Sequence, residues 1–275
     1  ETDGIDATGD GDLDPIDRKT LGINFGSQLT ENTAVNVNVI NTKANIQYDD
    51  SWSTPKPDNN LNQVGISLSQ NYGKRSKINL DLMRQNTQRM GDKYKLNTYT
   101  LINETDFDFS KLSLGLSITD DSDLSNVKNI KHTDFFTQWQ GLVIDNEISL
   151  GARVIDHDKF SSHISYNLNW AKDLSATSRV NASYGSATNL PSHYQEKKNL
   201  EHGQTSLKPE RSKNIELGLN NKFEEVDIEF KIYKSKVEDS FDWRDGYYFN
   251  NNTVDITGAD LSLETKILAW DLNTN

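Results

Sequence analysis

The segment LSLGLSI, residues 112–118, decides the fold because every second side chain in it is apolar. Side chains of a β-strand point alternately to two faces, so such a segment has one apolar and one polar face. The alternation recurs about fourteen times, in segments of roughly ten residues. Further examples are Val35, Val37 and Val39; Val64, Ile66 and Leu68; Ile78, Leu80 and Leu82; and Val226, Ile228, Phe230 and Ile232. The sequence therefore predicts an all-β chain.

The length of these segments favours a membrane sheet over a soluble sandwich. Sandwich strands are usually about five or six residues long, whereas a tilted strand needs about nine to eleven to cross a bilayer. Tyr and Trp residues near the segment ends, such as Tyr166, Trp170 and Tyr184, suit an interfacial aromatic girdle.

The connections between the segments alternate between two classes, which predicts an up-and-down antiparallel sheet with all short turns at one end. Short turns are predicted at 30–33, 72–76, 107–111, 141–146, 171–177 and 221–225. Longer polar connections are predicted at 1–16, 42–61, 86–94, 119–131, 187–209 and 237–251, with a shorter one at 156–161.

Composition excludes several classes of protein. Of the 275 residues 34% are apolar, the mean hydropathy is −0.74, and no apolar run approaches the roughly eighteen residues of a membrane helix. The net charge of −12 argues against a nucleic-acid partner, and the absence of cysteine excludes disulfides and thiolate chemistry. The chain opens without a signal peptide, which we expect to be removed or to lie upstream.

The acidic segment 6–17 is the strongest chemical signal. Its oxygen-bearing side chains fall at the ligand positions of an EF-hand-like loop: Asp6, Thr8, Asp10, Asp12, Asp14 and Asp17. Crowded carboxylates repel one another without a cation, and Ca²⁺ prefers oxygen ligands. Thr8, Asp17 and the lack of flanking helices depart from the motif, so a solvated acidic loop is the alternative. In a barrel, Tyr48, Asp49 and Asp58 in the next long loop would lie at the same rim and could complete a Ca²⁺ site.

The same region resembles the calcium-binding extracellular loops of vitamin B12 (cobalamin) transporters, which are TonB-dependent outer-membrane receptors. The match runs through Asp12–Asp14, Lys19–Gly22, the Leu29-Thr30 turn, a strand ending near Ile40, and Tyr48-Asp49. The resemblance implies Asp12, Asp14, Tyr48 and Asp49 as Ca²⁺ ligands, with Asp58 after a small gap and Asp6 or Asp10 more loosely.

A second match to this family lies further along the chain. Segments 182–191 and 207–218, with the pattern Leu207-x-Pro209-Glu210-x-Ser212, resemble the paired signature of TonB-dependent receptor barrels. Asn189 and Leu190 depart from it, since Lys or Arg and then Ala are usual there.

The resemblance implies a partial transmembrane β-barrel in the bacterial outer membrane, with about 14 of roughly 22 strands. We expect residues 1–275 to be a fragment of the barrel domain that lacks the plug, the signal peptide and the C-terminal strands. Its first and last strands would then have unpaired edges, which the intact barrel would close.

The implied function is energy-coupled uptake of cobalamin or another large metal chelate, with Ca²⁺ as cofactor, outer-membrane lipid around the wall, and the TonB protein engaged through the plug. Candidate substrate contacts are the loop aromatics Tyr48, Trp52, Tyr194, Trp243 and Tyr247. A siderophore or haem receptor is the alternative within the family, and a soluble calcium-binding β-rich adhesin module is the alternative outside it. Catalysis is not expected, because no HExxH, G-x-S-x-G or phosphate-loop motif occurs.

Overall fold

The computed structural model describes residues 16–46, 58–89, 91–124, 128–267 and 270–274. The strands are β1 Ile16–Thr30, β2 Thr33–Ile46, β3 Asp58–Tyr72, β4 Ser76–Arg89, β5 Asp92–Asp106, β6 Ser110–Asp123, β7 Lys128–Val143, β8 Asn146–His157, β9 Ser161–Asp173, β10 Ser178–Asn189, β11 Glu210–Lys222, β12 Val226–Glu238, β13 Phe241–Arg244, β14 Tyr247–Asn250, β15 Thr253–Ile267 and β16 Trp270–Thr274. One helix, α1, covers His193–Glu201. Over the described ranges, no helix is long and apolar enough to cross a membrane.

Fourteen of the strands form one sheet in which consecutive strands are neighbours. The one interruption is the hairpin β13–β14, which pairs only with itself, so that β12 lies beside β15. Every pair whose register is resolved is antiparallel, as in Val39 opposite Val64 and Leu68 opposite Leu80. The predicted antiparallel up-and-down sheet and its strand number are confirmed.

The chain divides into two compact units. Of the described residues, those within 16–104, 115–134 and 157–159 belong to the first unit, and those within 105–114, 135–156 and 160–274 belong to the second.

In the first unit the apolar side chains are the exposed ones. Val64, Ile66 and Leu68 of β3 are 45%, 41% and 38% exposed. On the opposite face, hydroxyl groups pair with one another, as the half-buried Thr100 and the buried Ser117 do at 2.9 Å. This is the reverse of a water-soluble sheet, and it places the apolar face against lipid.

The second unit repeats this arrangement. Ile215, Leu217 and Leu219 of β11 are exposed, whereas Gly218 between them is buried. Ile232 of β12 lies opposite Leu217 and is also exposed. We refer to this exposed side of the strands as the apolar band.

The strands are longer than the sequence predicted. From β1 to β12 they contain 12 to 16 residues rather than about ten. In β12 the apolar alternation ends at Ile232, yet pairing continues through Lys234 and Lys236 to Glu238. Polar residues beyond the apolar band therefore extend the strand, since backbone pairing does not require lipid.

The same effect corrects two predicted connections. Residues 86–94 and 119–131 were expected to be long loops, but β4 continues to Arg89 and β5 begins at Asp92, while β6 continues to Asp123. All six predicted short turns are confirmed, with strands ending and beginning within or beside each of them. The end of the sheet that carries these six turns is called the short-turn end, and the opposite end is called the rim.

Candidate functional site

The two long rim connections described in full, residues 190–209 and 239–252, build the candidate binding site. Helix α1 lies in the first connection, and the hairpin β13–β14 lies in the second. Sequence analysis had assigned both as polar loops, so the helix and the hairpin are corrections.

Helix α1 begins at a capping box. The Ser192 hydroxyl accepts a hydrogen bond from the Gln195 backbone N–H at 3.3 Å, and the Gln195 side chain accepts one from the Ser192 N–H at 2.8 Å. This reciprocal pair satisfies backbone donors that the first helical turn leaves open. Near the C-terminus, Lys198 donates to Glu201 at 2.8 Å, and this hydrogen bond lowers the pKa of Glu201.

Two buried polar side chains hold α1 in place. The Asn199 Oδ1 accepts a hydrogen bond from the backbone N–H of Tyr248 in β14 at 2.9 Å, while its Nδ2 donates to the Thr205 carbonyl at 3.2 Å. The Glu196 carboxylate accepts from the backbone N–H of Leu207 at 3.2 Å. Asn199 is 2% exposed, and through these two bonds its side chain connects α1 to the following loop and to β14.

The signature segment that begins at Leu207 joins the connection to the hairpin. Asn250 accepts from the Lys208 N–H at 2.8 Å and donates to the Lys208 carbonyl at 2.9 Å. Glu210 accepts from the Asn189 side chain at 2.6 Å and from the Phe241 N–H at 2.5 Å. The two long connections are thus one hydrogen-bonded body, which we call the rim pair (residues 190–209 and 239–252).

The hairpin turn depends on Asp245 and Gly246, which both have positive φ, at 54° and 88°. Such a pair of angles is typical of two-residue hairpin turns with the sequence Asp-Gly. A Cβ on Gly246 would also lie 2.9 Å from His202 Nε2. Glycine is therefore required both by the backbone angle and by the close approach of His202.

The rim pair brings aromatic side chains together. Tyr248 contacts Tyr194 edge-on with ring centroids 6.3 Å apart, and it contacts Trp243 edge-on at 4.7 Å. Tyr247 lies 6.1 Å from the His202 ring. Trp243 is 47% exposed and the three tyrosines are half-buried, so the cluster presents the indole ring of Trp243 to solvent with the tyrosines packed beside it.

Three of the five predicted substrate contacts therefore belong to one structural body: Tyr194, Trp243 and Tyr247. The other two, Tyr48 and Trp52, lie outside the described residues. Sequence reasoning missed Tyr248, His202 and the anchor Asn199. The Ser192-to-Gln195 capping box and the Asp245-Gly246 turn were the signals that could have located this body.

Most of the predicted calcium ligands cannot be placed. Asp6, Asp10, Asp12, Asp14, Tyr48 and Asp49 lie outside the described residues, and Asp58 is the first residue of β3, opposite Asn45. Within the described part of the chain, no group of three or more His, Asp or Glu side chains could hold a metal ion. The calcium site stays a prediction. The carboxylate oxygens that compose it suit Ca²⁺.

A second polar cluster lies at the rim of the first unit. The rings of His132 and His157 stack with centroids 5.9 Å apart, and His157 Nδ1 accepts a hydrogen bond from the Lys159 N–H at 2.9 Å. Asp158 accepts from the Lys131 N–H at 2.9 Å. These bonds fix the turn after β8 against β7, which gives the cluster a structural role.

Comparison with known proteins identifies relatives of the fold. The family model described as TonB dependent receptor-like, beta-barrel matches residues 2–275. Comparison with curated proteins yields no match. Among solved structures, the siderophore receptor PirA from Pseudomonas aeruginosa is similar with a TM-score of 0.77 and 17% identity over 94% of this chain and 54% of that one.

Two further structures have the same fold. PirA from Acinetobacter baumannii has a TM-score of 0.76 and 13% identity, covering 92% of this chain and 51% of the receptor. The copper transporter OprC has a TM-score of 0.76 and 13% identity, covering 94% of this chain and 51% of its own. The chain spans about half the length of these proteins.

Proposed function

Because this chain belongs to the TonB-dependent receptor family, whose barrels lie in the bacterial outer membrane, we propose that it is part of a receptor for energy-coupled uptake of a large metal chelate. The observation that carries the proposal is the aromatic surface on the rim pair, in which the exposed Trp243 packs beside Tyr248 and Tyr248 packs beside Tyr194. This surface projects from the end of the sheet opposite the short turns, which faces the cell exterior in such barrels.

Cobalamin is the proposed chelate. The acidic segment 6–17 and the Tyr48-Asp49 pair support this choice through their resemblance to the calcium-ordered loops of cobalamin transporters. In this proposal Ca²⁺ draws the carboxylates of two long connections together and orders them for capture. Coupling to TonB would occur through a plug domain, so that step rests on the family alone.

A ferric siderophore is the second candidate. Two structurally similar receptors bind siderophores according to their names, and a third transports copper. Sequence identities of 13% and 17% to these structures show a shared fold and do not indicate which cargo this chain binds. The family assignment and the exposed apolar bands argue against the alternative of a soluble adhesin module.

Equilibrium dialysis of the full-length receptor in detergent against radiolabelled cyanocobalamin tests the choice of cargo. We expect cobalamin to bind at micromolar or lower concentration with Ca²⁺. With a chelator we expect the affinity to fall at least about tenfold, which corresponds to a loss of about 1.4 kcal/mol of binding free energy. Absence of cobalamin binding with and without Ca²⁺, together with binding of a ferric siderophore, would overturn cobalamin in favour of the second candidate.

Two sets of variants separate the parts of the proposal. Asp12→Asn with Asp14→Asn should remove the calcium dependence, whereas Asp145→Asn at a short turn should retain it.

Trp243→Ala should weaken cargo binding by about 1–3 kcal/mol if the ring contacts the ligand. The matched control is Tyr166→Ala on the apolar band of β9. If Trp243→Ala and Tyr166→Ala bind the cargo with equal affinity, the aromatic surface is not part of the binding site.

A further inference from the structure

The turn that follows β8 at the rim is held by a buried histidine. The side chain of His157 is 2% exposed, and its Nδ1 accepts a hydrogen bond from the backbone N–H of Lys159 at 2.9 Å. A ring nitrogen that accepts a hydrogen bond carries no proton, so the imidazole is neutral and its proton lies on Nε2. The hydrogen bond therefore fixes both the protonation state and the tautomer of His157.

A protonated His157 would have to give up this bond. Both nitrogens of an imidazolium are donors, so its Nδ1–H would meet another donor, the N–H of Lys159. The Asp158 carboxylate is an alternative acceptor, because its Oδ1 lies 3.4 Å from Nδ1. The other oxygen of Asp158 accepts from the Lys131 N–H at 2.9 Å and can stay bonded to β7. The same turn thus has two bonding arrangements, one for each protonation state of the ring.

Charged groups on β7 and on the turn act on this ring in both directions. The ring of His132 stacks on that of His157 with centroids 5.9 Å apart, and its Nε2 lies 3.7 Å from a carboxylate oxygen of the buried Asp134. Two carboxylates favour a second proton on His157: Asp134 and Asp158. Three cationic or titratable groups oppose it: Lys131, His132 and Lys159. The next strand, β9, carries the buried His163. The ring is thus poised between attraction and repulsion.

We propose that His157 is a pH-sensitive switch for the turn between β8 and β9. At neutral pH the uncharged ring holds the N–H of Lys159. In acid, Nδ1 takes up a proton from solvent, the Lys159 N–H is released, and the new Nδ1–H bonds to Asp158. The rim faces the cell exterior in barrels of this family, so the switch responds to the pH of the medium. The inference uses the membrane location of the family and does not depend on the cargo.

Hydrogen exchange of the full-length receptor in detergent, resolved to single amides, tests the proposal. Protection factors corrected for the intrinsic effect of pH are measured at about pH 7.5 and about pH 5, on either side of the range in which imidazole titrates. The Lys159 amide should lose about three- to tenfold of its protection in acid, as expected for one lost hydrogen bond. The Asp158 amide, which donates to the Lys131 carbonyl at 3.1 Å, should not change. Equal losses at both amides, or no loss at Lys159, would overturn the proposal.

His157→Asn identifies the group that titrates. The asparagine side-chain oxygen can replace Nδ1 as the acceptor and does not take up a proton in this pH range, so Lys159 should stay protected at both pH values. The matched controls are His163→Asn, at a second buried histidine, and His202→Asn, at an exposed one, and both should respond to acid as the parent protein does. A response that persists in His157→Asn, or that disappears in either control, contradicts the assignment to His157.

Asp158→Asn is a second test that does not alter the histidine. The amide oxygen can still accept from the Lys131 N–H, but it attracts an imidazolium less strongly than a carboxylate does. The pH midpoint at which Lys159 loses protection should therefore move to lower pH. If Lys159 is unprotected at both pH values in His157→Asn, this midpoint decides, and an unchanged midpoint refutes the switch.

Discussion

The fourteen-stranded sheet and the rim pair are held together in different ways. In the sheet, each residue contributes a small and repetitive share through backbone pairing, and the surrounding lipid covers the apolar side chains. In the rim pair a few side chains, above all the buried Asn199 and the half-buried Glu210, make the hydrogen bonds that join its segments. The sheet should therefore tolerate changes that keep the alternation, whereas the rim pair should fail when one anchor is lost.

The largest effect should come from a charge in the apolar band. Leu217→Arg places a cation on the lipid side of β11, which costs about 2–4 kcal/mol near the middle of a bilayer. Ser183→Arg on the neighbouring strand β10 is the control, because Ser183 lies on the opposite face, across from Glu216. Guanidinium unfolding of the full-length receptor in lipid vesicles measures the two free energies. Equal losses would show that the exposed face of β11 is not in lipid.

A smaller and strictly local effect should follow from Asn199→Ala. The Tyr248 N–H and the Thr205 carbonyl would each lose a partner, at about 0.5–1.5 kcal/mol for each hydrogen bond. Hydrogen exchange should accelerate in α1 and in β14 while β11 and β12 stay protected. Leu200→Ala, on the exposed side of the same helix, should leave all four elements unchanged. Exchange that rises throughout the sheet would refute the independence of the two regions.

The smallest effect concerns pH. The hydrogen bond from Lys198 lowers the pKa of Glu201 below its ordinary value of 4.5, so the folded state binds this proton less readily than the unfolded state does. The stabilisation is therefore present above the unfolded pKa and is lost as the pH falls through the folded pKa. The ratio of exchange rates between Glu201→Gln and the parent protein, measured along α1 from neutral to acidic pH, should fall towards one in acid. A ratio independent of pH would exclude this contribution.

The contrast between the regions also explains what the sequence could predict. The alternation in segments such as 112–118 is read directly from neighbouring residues, so the strands, their order and the short turns followed from it. The ends of the strands did not follow, because polar residues such as Asp121 or Lys236 can occupy either a loop or a paired strand above the membrane.

The interior of the rim pair was less accessible to sequence reasoning. Tyr194 and Trp243 were singled out as candidate substrate contacts because they are loop aromatics. Their common partner Tyr248 was not, because the contact depends on how α1 meets the hairpin. That meeting is fixed by Asn199, whose neighbours in sequence give no sign that its side chain is buried. Local signals existed only for the start of the helix at Ser192 and the turn at Asp245-Gly246.

Glu210 sets a condition on exchanging loops between receptors. Its carboxylate connects Asn189, the last residue of β10, with Phe241, the first residue of the hairpin, from its own position at the start of β11. A graft of residues 239–252 alone into another barrel would cut the bond from Phe241 to Glu210, and a graft of residues 190–209 alone would cut the bond between Asn199 and Tyr248. The transferable unit is therefore the whole interval from Asn189 to Asn252, with β11 and β12 included, and recombination within that interval should give chains that insert into the membrane but present a disordered binding surface.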